Sequence, residues 1–442
     1  MAMEMQRSWR TESSSGFVVA LAAAVAVALA LTLALPSPAA ANSATDCRVR
    51  NLGSGRTFTS VQKAVDAARR GARLTVRGTC TGATVIRRSI AITGVETKRW
   101  GPPLLSGGGK ARVLKISNGA RVKLSDLAVV RGRAVVGAGI HNRGTLVLAN
   151  VQVRRNRAIR VGYGGGIRNY GTIRMNRGSR VSANHGNLAG GVTNHGLFVM
   201  NGTSAIAGNI GTCQAGVFND GTFIMNGSST IAHNRYRIPP VEYPCYYRYA
   251  GSGATNLGRL TMNGGSSIRN NGSRNTAVRN GGTLTMNHRS TIAANRGTHP
   301  AGGLENWSRV VMNDASSIVG NRGADVVGGA YLEGSLTMND DSSIADNANG
   351  GVYVWESGVT LTMNDRSSIR GNRGWFGGVQ LLEGTLRMAG TSSITGNVAG
   401  EGPGGGVLMF DRYDAEADGM VCAPDTPANV YGNTPSDCVF VG

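Results

Sequence analysis

Three aspartates stand at nearly equal intervals late in the chain: Asp314, Asp340 and Asp365, with Asp341 beside the second. If one structural repeat separates them, their carboxylates stack about 4.8 Å apart. Unit charges at that spacing repel by about 1 kcal/mol in water and about 3–4 kcal/mol at an effective dielectric of 20. A Ca²⁺ ion, which prefers carboxylate oxygens, would relieve the repulsion and is the one cofactor this chain suggests. With Arg366 and Arg370 close by, the row is also the constellation best able to serve a lyase or hydrolase, since glycoside hydrolysis needs carboxylates at a set separation. The plainer reading is that Asn-Asp and Asn-Gly make good turns whose side chains are solvated.

A second candidate is rich in rings. Tyr236, Tyr243, Tyr246, Tyr247 and Tyr249 fall with Arg248 in one short stretch, five of only 11 Tyr in the chain. Tyr and Arg dominate recognition patches, and Tyr rings stack on sugar faces, so a glycan is the ligand these types suggest. Trp307, Trp355 and Trp375 would extend such a surface. The alternative is a loop folded over its own coil and pinned by Cys245.

Both candidates must be held by a repeat. Met recurs at 175, 200, 225, 262, 286, 312, 338, 363 and 388, and Ser follows four places later and Asn nine places later in every copy. A fixed period of about 25 residues means a solenoid, each repeat burying its apolar face on its neighbours. Inside a repeat, Gly350 to Asn372 gives Gly-Gly-Val-Tyr-Val, then Val-Thr-Leu-Thr-Met, then Ser-Ser-Ile, broken by turn residues. Such short alternating runs are strands. Three strands per coil predict an all-β, single-domain parallel β-helix of about 12 coils. Leu336, Met338, Ser342 and Ile344 should point inward, with Leu361, Met363, Ser367 and Ile369 stacked on them. The Asn rows should bond along the axis instead of binding sugar.

The chain also resembles a known group. Phe58-Thr59-Ser60-Val61-Gln62-Lys63-Ala64-Val65, then Ser89-Ile90-Ala91-Ile92-Thr93-Gly94, look like the opening of pectate-lyase-like right-handed β-helix proteins. The steps Gly165-Gly166-Ile167, Gly190-Gly191-Val192, Gly302-Gly303-Leu304 and Gly350-Gly351-Val352, each paired with Ile-x-x-Asn (Val181 once replacing Ile), are similar to chlamydial polymorphic outer-membrane protein repeats. Ile stands where those repeats carry an aromatic residue. The resemblance implies a right-handed coil, a sense that parallel crossovers also favour. Many β-helix proteins cleave acidic polysaccharides, but the Asn-Thr-Asp, Gly-His-Gly and Arg-Ile-Lys clusters of such enzymes are absent here.

The ends of the stack should be capped. Thr59-Ser60-Val61-Gln62 is a capping-box pattern, and a helix over 59–70 is expected to cover the first coil. We divide the chain into a signal peptide (residues 1–41), a cap helix with irregular coils (42–115), regular coils (116–410) with the Tyr-rich insertion at 235–252, and a C-terminal cap (411–442). Phe17 to Leu35 is apolar, follows Arg7 and Arg10, and precedes small residues to Ala41. That is a secretory signature, with an uncleaved anchor as the alternative. Six Cys suit an oxidising compartment. Position favours Cys47–Cys80, Cys213–Cys245 and Cys422–Cys438.

Charge is regional. Residues 42–180 hold 28 Lys and Arg against 4 Asp and Glu, whereas residues 181–442 hold 16 against 19. A basic third facing an anionic polymer of the cell envelope is the functional reading, and a solvated face is the plain one. Few aromatics interleave the basic residues, which argues against nucleic acid. The expectation is a secreted or surface-held monomer that binds glycans or envelope polymers without cleaving them.

Overall fold

Runs of three to five alternating residues are too short for helices of any stability, and each Asn or Gly that ends them turns the chain. The computed structural model describes residues 47–186, 189–237, 251–272, 275–400, 402, 404–410, 429–434 and 436–441. The expected signal peptide, most of the Tyr-rich insertion and much of the expected C-terminal cap lie outside these residues. So do Tyr243, Tyr246, Tyr247, Arg248, Tyr249, Cys245 and Cys422. The described chain is an all-β parallel solenoid of about 12 turns.

Three faces repeat in each regular coil. The Met face stacks strands such as Arg309–Met312, Ser335–Met338 and Thr360–Met363, with Leu336 paired to Leu361 and Met338 to Met363. The Ile face stacks Ser317–Val319, Ser343–Ala345 and Ser368–Arg370, Ile318 over Ile344 over Ile369. The third, or glycine, face contains 14 parallel strands in chain order, from Thr84–Ile86 to Cys438–Val441. Leu336, Met338, Ser342, Ile344, Leu361, Met363, Ser367 and Ile369 are all fully buried, as the alternation requires. Equal places in the phrase are vertical neighbours.

The early coils differ at one corner. Arg121–Val130 and Thr145–Arg154 each run unbroken from the Met face into the Ile face. Asp126 (φ 54°) and Asn150 (φ 56°) turn those corners in the left-handed region. Leu148 pairs with Met175 while Val153 pairs with Val181, so the later corner is one residue longer and splits the strand in two.

The paired glycines serve closeness. A Cβ on Gly302 would lie 2.4 Å from the Arg322 carbonyl carbon, and one on Gly303 would lie 2.7 Å from the Gly329 oxygen. The next coil passes where a side chain would begin.

At the N-terminal end, the helix is shorter than 59–70. It spans Val61–Asp66, with the Ser60 hydroxyl accepting a bond from the Lys63 amide at 3.4 Å. Ala68 continues the buried stripe of Val61, Ala64 and Val65 beyond the helix. The Gln62 side chain accepts from the Val85 amide at 2.7 Å and donates to its carbonyl at 3.4 Å. Val85 lies in the first glycine-face strand, so Gln62 meets backbone groups that a further coil would otherwise satisfy. Arg48–Asn51 pairs antiparallel with Ala72–Arg77. The Cys47–Cys80 disulfide ties this arm down. Cys213 and Cys438 are also disulfide-bonded, with partners outside the described residues. At the far end Val430 pairs with Ile394 and Asn433 extends the Asn row, so the coil register continues.

Candidate ligand-binding face

The aspartate row falls at three successive corners, as its spacing requires. Asp314, Asp340 and Asp365 all have positive φ (51°, 55° and 56°) and are exposed. Their carboxylates reach back along the axis. Asp340 accepts from the Asp314 amide at 3.2 Å, and Asp365 from the Asp340 amide at 3.1 Å. His288 lies 3.5 Å from Asp314 at the near end of the row. Arg366 is held by Asp341 at 2.6 and 2.9 Å, both side chains exposed. Arg370 ends an Ile-face strand, away from this corner. Among the described residues, no group of three or more His, Cys, Asp and Glu is placed to hold a metal ion. The geometry of the row is that of a turn ladder in which one oxygen each of Asp340 and Asp365 has an amide donor, while Asp314 faces His288.

Two of the Asn rows are internal. Asn295, Asn321 and Asn347 are buried, and each amide donates to the next side-chain oxygen at 2.9–3.1 Å. Asn280 donates likewise to Asn306 at 2.8 Å on the glycine face.

More chemistry sits outside the glycine face. The middle residue of each three-residue strand points away from the core, yet His141, Thr193, Arg279, Glu305, Tyr331, Tyr353 and Leu408 are all buried. Chain from the neighbouring turns covers them: Ala301, Val327 and Phe376 pack with Tyr331, Tyr353 and Leu408 in a second apolar cluster. Tyr331 and Tyr353 stack with ring centroids 5.5 Å apart, and Trp355 lies 5.9 Å from Tyr353.

Within this layer Arg279 meets Glu305 at 2.8 Å, and the Trp307 indole donates to the same carboxylate at 3.0 Å. The Arg279 guanidinium lies 3.7 Å above the Trp307 ring. Burial pushes the Glu305 carboxyl up to about 7, outweighing the nearby Arg279 charge, with Glu333 adding to the rise. Burial, with help from Glu333, also pushes the Tyr331 hydroxyl upward. A carboxyl that titrates near neutrality is the type that general acid–base catalysis employs. Glu305 is only 4% exposed and already paired, so substrate has no open route to it.

Further along, the surface opens. Asn349, Arg373, Gly374, Trp375, Val398 and Gly400 line a groove of about 470 Å³. Trp375 is 51% exposed and stacks on Phe410 with ring centroids 6.4 Å apart. The indole face, a guanidinium and an amide thus converge on one concave surface. Tyr236, the described member of the Tyr group, is half-buried in the two-residue strand Arg235–Tyr236.

Sequence reading singled out Trp307, Trp355 and Trp375 but missed Arg279, Glu305, His141, Arg168 and the tyrosine pair. A signal was available. In Ile167-Arg168-Asn169, Val278-Arg279-Asn280 and Leu304-Glu305-Asn306, the outer residues keep their types while the middle one varies freely. Variation within an otherwise fixed phrase marks the outward position. Comparison with protein-family models, with curated proteins and with solved structures finds no match for this chain.

Proposed function

We propose that this chain is a secreted or cell-surface β-solenoid that binds a glycan or an anionic cell-envelope polymer without cleaving it. The groove at Trp375 carries the proposal. An exposed ring face offers the apolar side of a sugar a stacking surface, Arg373 supplies donors at its edge, and the Asn349 amide, whose nitrogen is bonded to the Gly323 and Ala324 carbonyls, offers its oxygen as an acceptor. The basic coils before residue 180 add long-range attraction for an acidic polymer. Export accords with the apolar N-terminal stretch and with the Cys47–Cys80 disulfide. The test is binding to immobilised envelope polysaccharides and to a glycan array. Trp375→Ala should lower affinity at least tenfold with unchanged thermal stability, and unchanged binding would remove the groove from the reading.

A polysaccharide lyase or hydrolase is the second reading, favoured by the exposed carboxylate row of Asp314, Asp340 and Asp365 with Asp341 and Arg366 beside it. Chain shortening of polygalacturonate or alginate by the purified protein, with or without Ca²⁺, and its loss in Asp340→Ala, would establish it.

A further inference from the structure

The basic coils contain a group of side chains that the groove does not explain. On the glycine face Lys115, His141, Arg168 and Thr193 stand side by side in successive coils, Lys115 paired with His141, His141 with Arg168, and Arg168 with Thr193. The residues that leave these strands form a second row beside it: Arg143, Tyr170, His195 and Asp220. The two rows lean on each other. The Arg168 guanidinium lies 4.9 Å over the Tyr170 ring and 5.1 Å over Tyr163. Arg143 approaches Tyr170 at 5.7 Å, and His195 stacks on it at 4.5 Å.

The group is built but incompletely satisfied. Among the described residues, both ring nitrogens of His141, Nε of Arg168, Oγ1 of Thr193 and Nε2 of His195 are buried without a protein partner. His141 is 7% exposed and Thr193 fully buried. Buried polar atoms in folded proteins nearly always have partners, and here five such atoms from four side chains occupy three neighbouring coils. The other unpartnered side-chain atoms among the described residues are mostly hydroxyls of the Ser row, one per coil. Among the described residues no ion pair engages Arg143 or Arg168. Asp220, the acid of the second row, is bonded to His195 Nδ1 at 2.8 Å. Arg112, which also faces His141, spends its Nε and Nη2 on the Val136 and Gly137 carbonyls. Positive charge therefore gathers with no carboxylate to answer it, beside a rim where Tyr170 is 41% exposed and Arg143 is exposed.

We propose that Arg143 and Arg168, both packed against the Tyr170 ring next to His141, Thr193 and His195, form a binding site for a single oxyanion group, carboxylate or phosphate. The two guanidiniums give the planar, bidentate donors that such groups prefer. The Tyr170 and Tyr163 rings hold Arg168 in place, so little side-chain freedom is lost on binding. Thr193 Oγ1 and Arg168 Nε add buried donors that have no partner among the described residues. His141 is neutral in the free protein because burial, then Arg112, Arg143, Arg168 and Lys115, hold its pKa down near 4. A bound anion supplies the missing negative charge and lets His141 take up a proton. The inference deepens the polymer-binding reading and rests on it only for the identity of the larger ligand.

The experiment titrates the full chain with inorganic phosphate in one arm and galacturonate in the other, following heat of binding and the histidine ring signals by NMR. One anion should bind per chain in at least one arm, and the His141 pKa should rise. Phosphate uptake alone would point to phosphodiester polymers, galacturonate alone to uronic-acid glycans. Arg168→Gln and the exposed-site variant Arg143→Gln should each weaken uptake at least tenfold, whereas Arg77→Gln, an exposed change on another face, should leave it intact. Because Arg143 is exposed, its variant tests the site even if Arg168→Gln disturbs folding. Equal uptake in all variants, or none by the wild type, would overturn the site. Loss of the site with retained Trp375-dependent glycan binding would leave the polymer reading standing; anion uptake without any polymer binding would do the reverse.

Discussion

His141 and Glu305 occupy the same outward position of the glycine face in different coils, and their surroundings shift them in opposite directions. His141 is held down near 4 from an ordinary 6.5, chiefly by burial and then by Arg112, Arg143, Arg168 and Lys115. Between those values the unfolded chain binds more protons than the folded one. This contribution to stability is therefore complete above pH 6.5 and is lost as pH falls toward 4. His141→Asn should flatten that part of the profile, read from urea midpoints at several pH values. Glu305 is raised from 4.5 to about 7, with burial the largest cause. Here the folded state binds more protons, so its contribution is complete below pH 4.5 and is lost as pH rises through 7. Glu305→Gln should match wild type near pH 4.5 and exceed it above pH 7. A variant less stable than wild type at pH 8 would mean that the Arg279 pair outweighs burial.

The coil is held as much by its amides as by its apolar stack. Asn321 accepts from the Asn295 backbone amide and side chain at 3.0 Å each, and donates to the Ile292 carbonyl at 2.9 Å and to Asn347 at 3.1 Å. Asn321→Ala strands several of these groups in a dry interior, at roughly 1–3 kcal/mol for each one left unpaired. The half-buried corner amide of Asn313 donates to Asn287 at 2.8 Å, and water can replace that bond. Asn313→Ala should cost about 1 kcal/mol or less, and Asn321→Ala several times more, in paired denaturant titrations. Equal losses would show that the interior row is no more than a set of turns. Both rows were legible from the strict Ser and Asn spacing, because identical residues one coil apart must stack. Which of them lies inside was decided by the fold, which buries Asn321 and leaves Asn313 half-buried at its corner.

Charge acts over the whole stack. Residues 42–180 have 28 cationic side chains against 4 acidic ones, and the remainder after 180 is close to balanced. Attraction of an acidic polymer to those coils is screened over about 10 Å at 0.1 M salt. Raising NaCl from about 50 mM to about 500 mM should release such a polymer if the basic coils hold it. Binding that survives high salt but vanishes with Trp375→Ala would assign the ligand to the groove instead. A salt-dependent interaction untouched by Trp375→Ala would assign it to the Arg143–Arg168 group.

From its residues alone, the chain determined the coil length, the three strands per coil and the inward residues. It also set the corner geometry of Asp314, Asp340 and Asp365. All of these follow from period-two alternation and exact recurrence, which are properties of short segments. The tertiary structure decided which outward residues become buried, since that depends on chain from neighbouring turns lying over them. It also decided that Arg143, Tyr170 and His195 meet, that Glu305 bonds both Arg279 and Trp307, and that Asp340 and Asp365 each give an oxygen to a backbone amide. Such meetings join residues about one coil apart through side-chain reach and loop path, and no local pattern encodes either one.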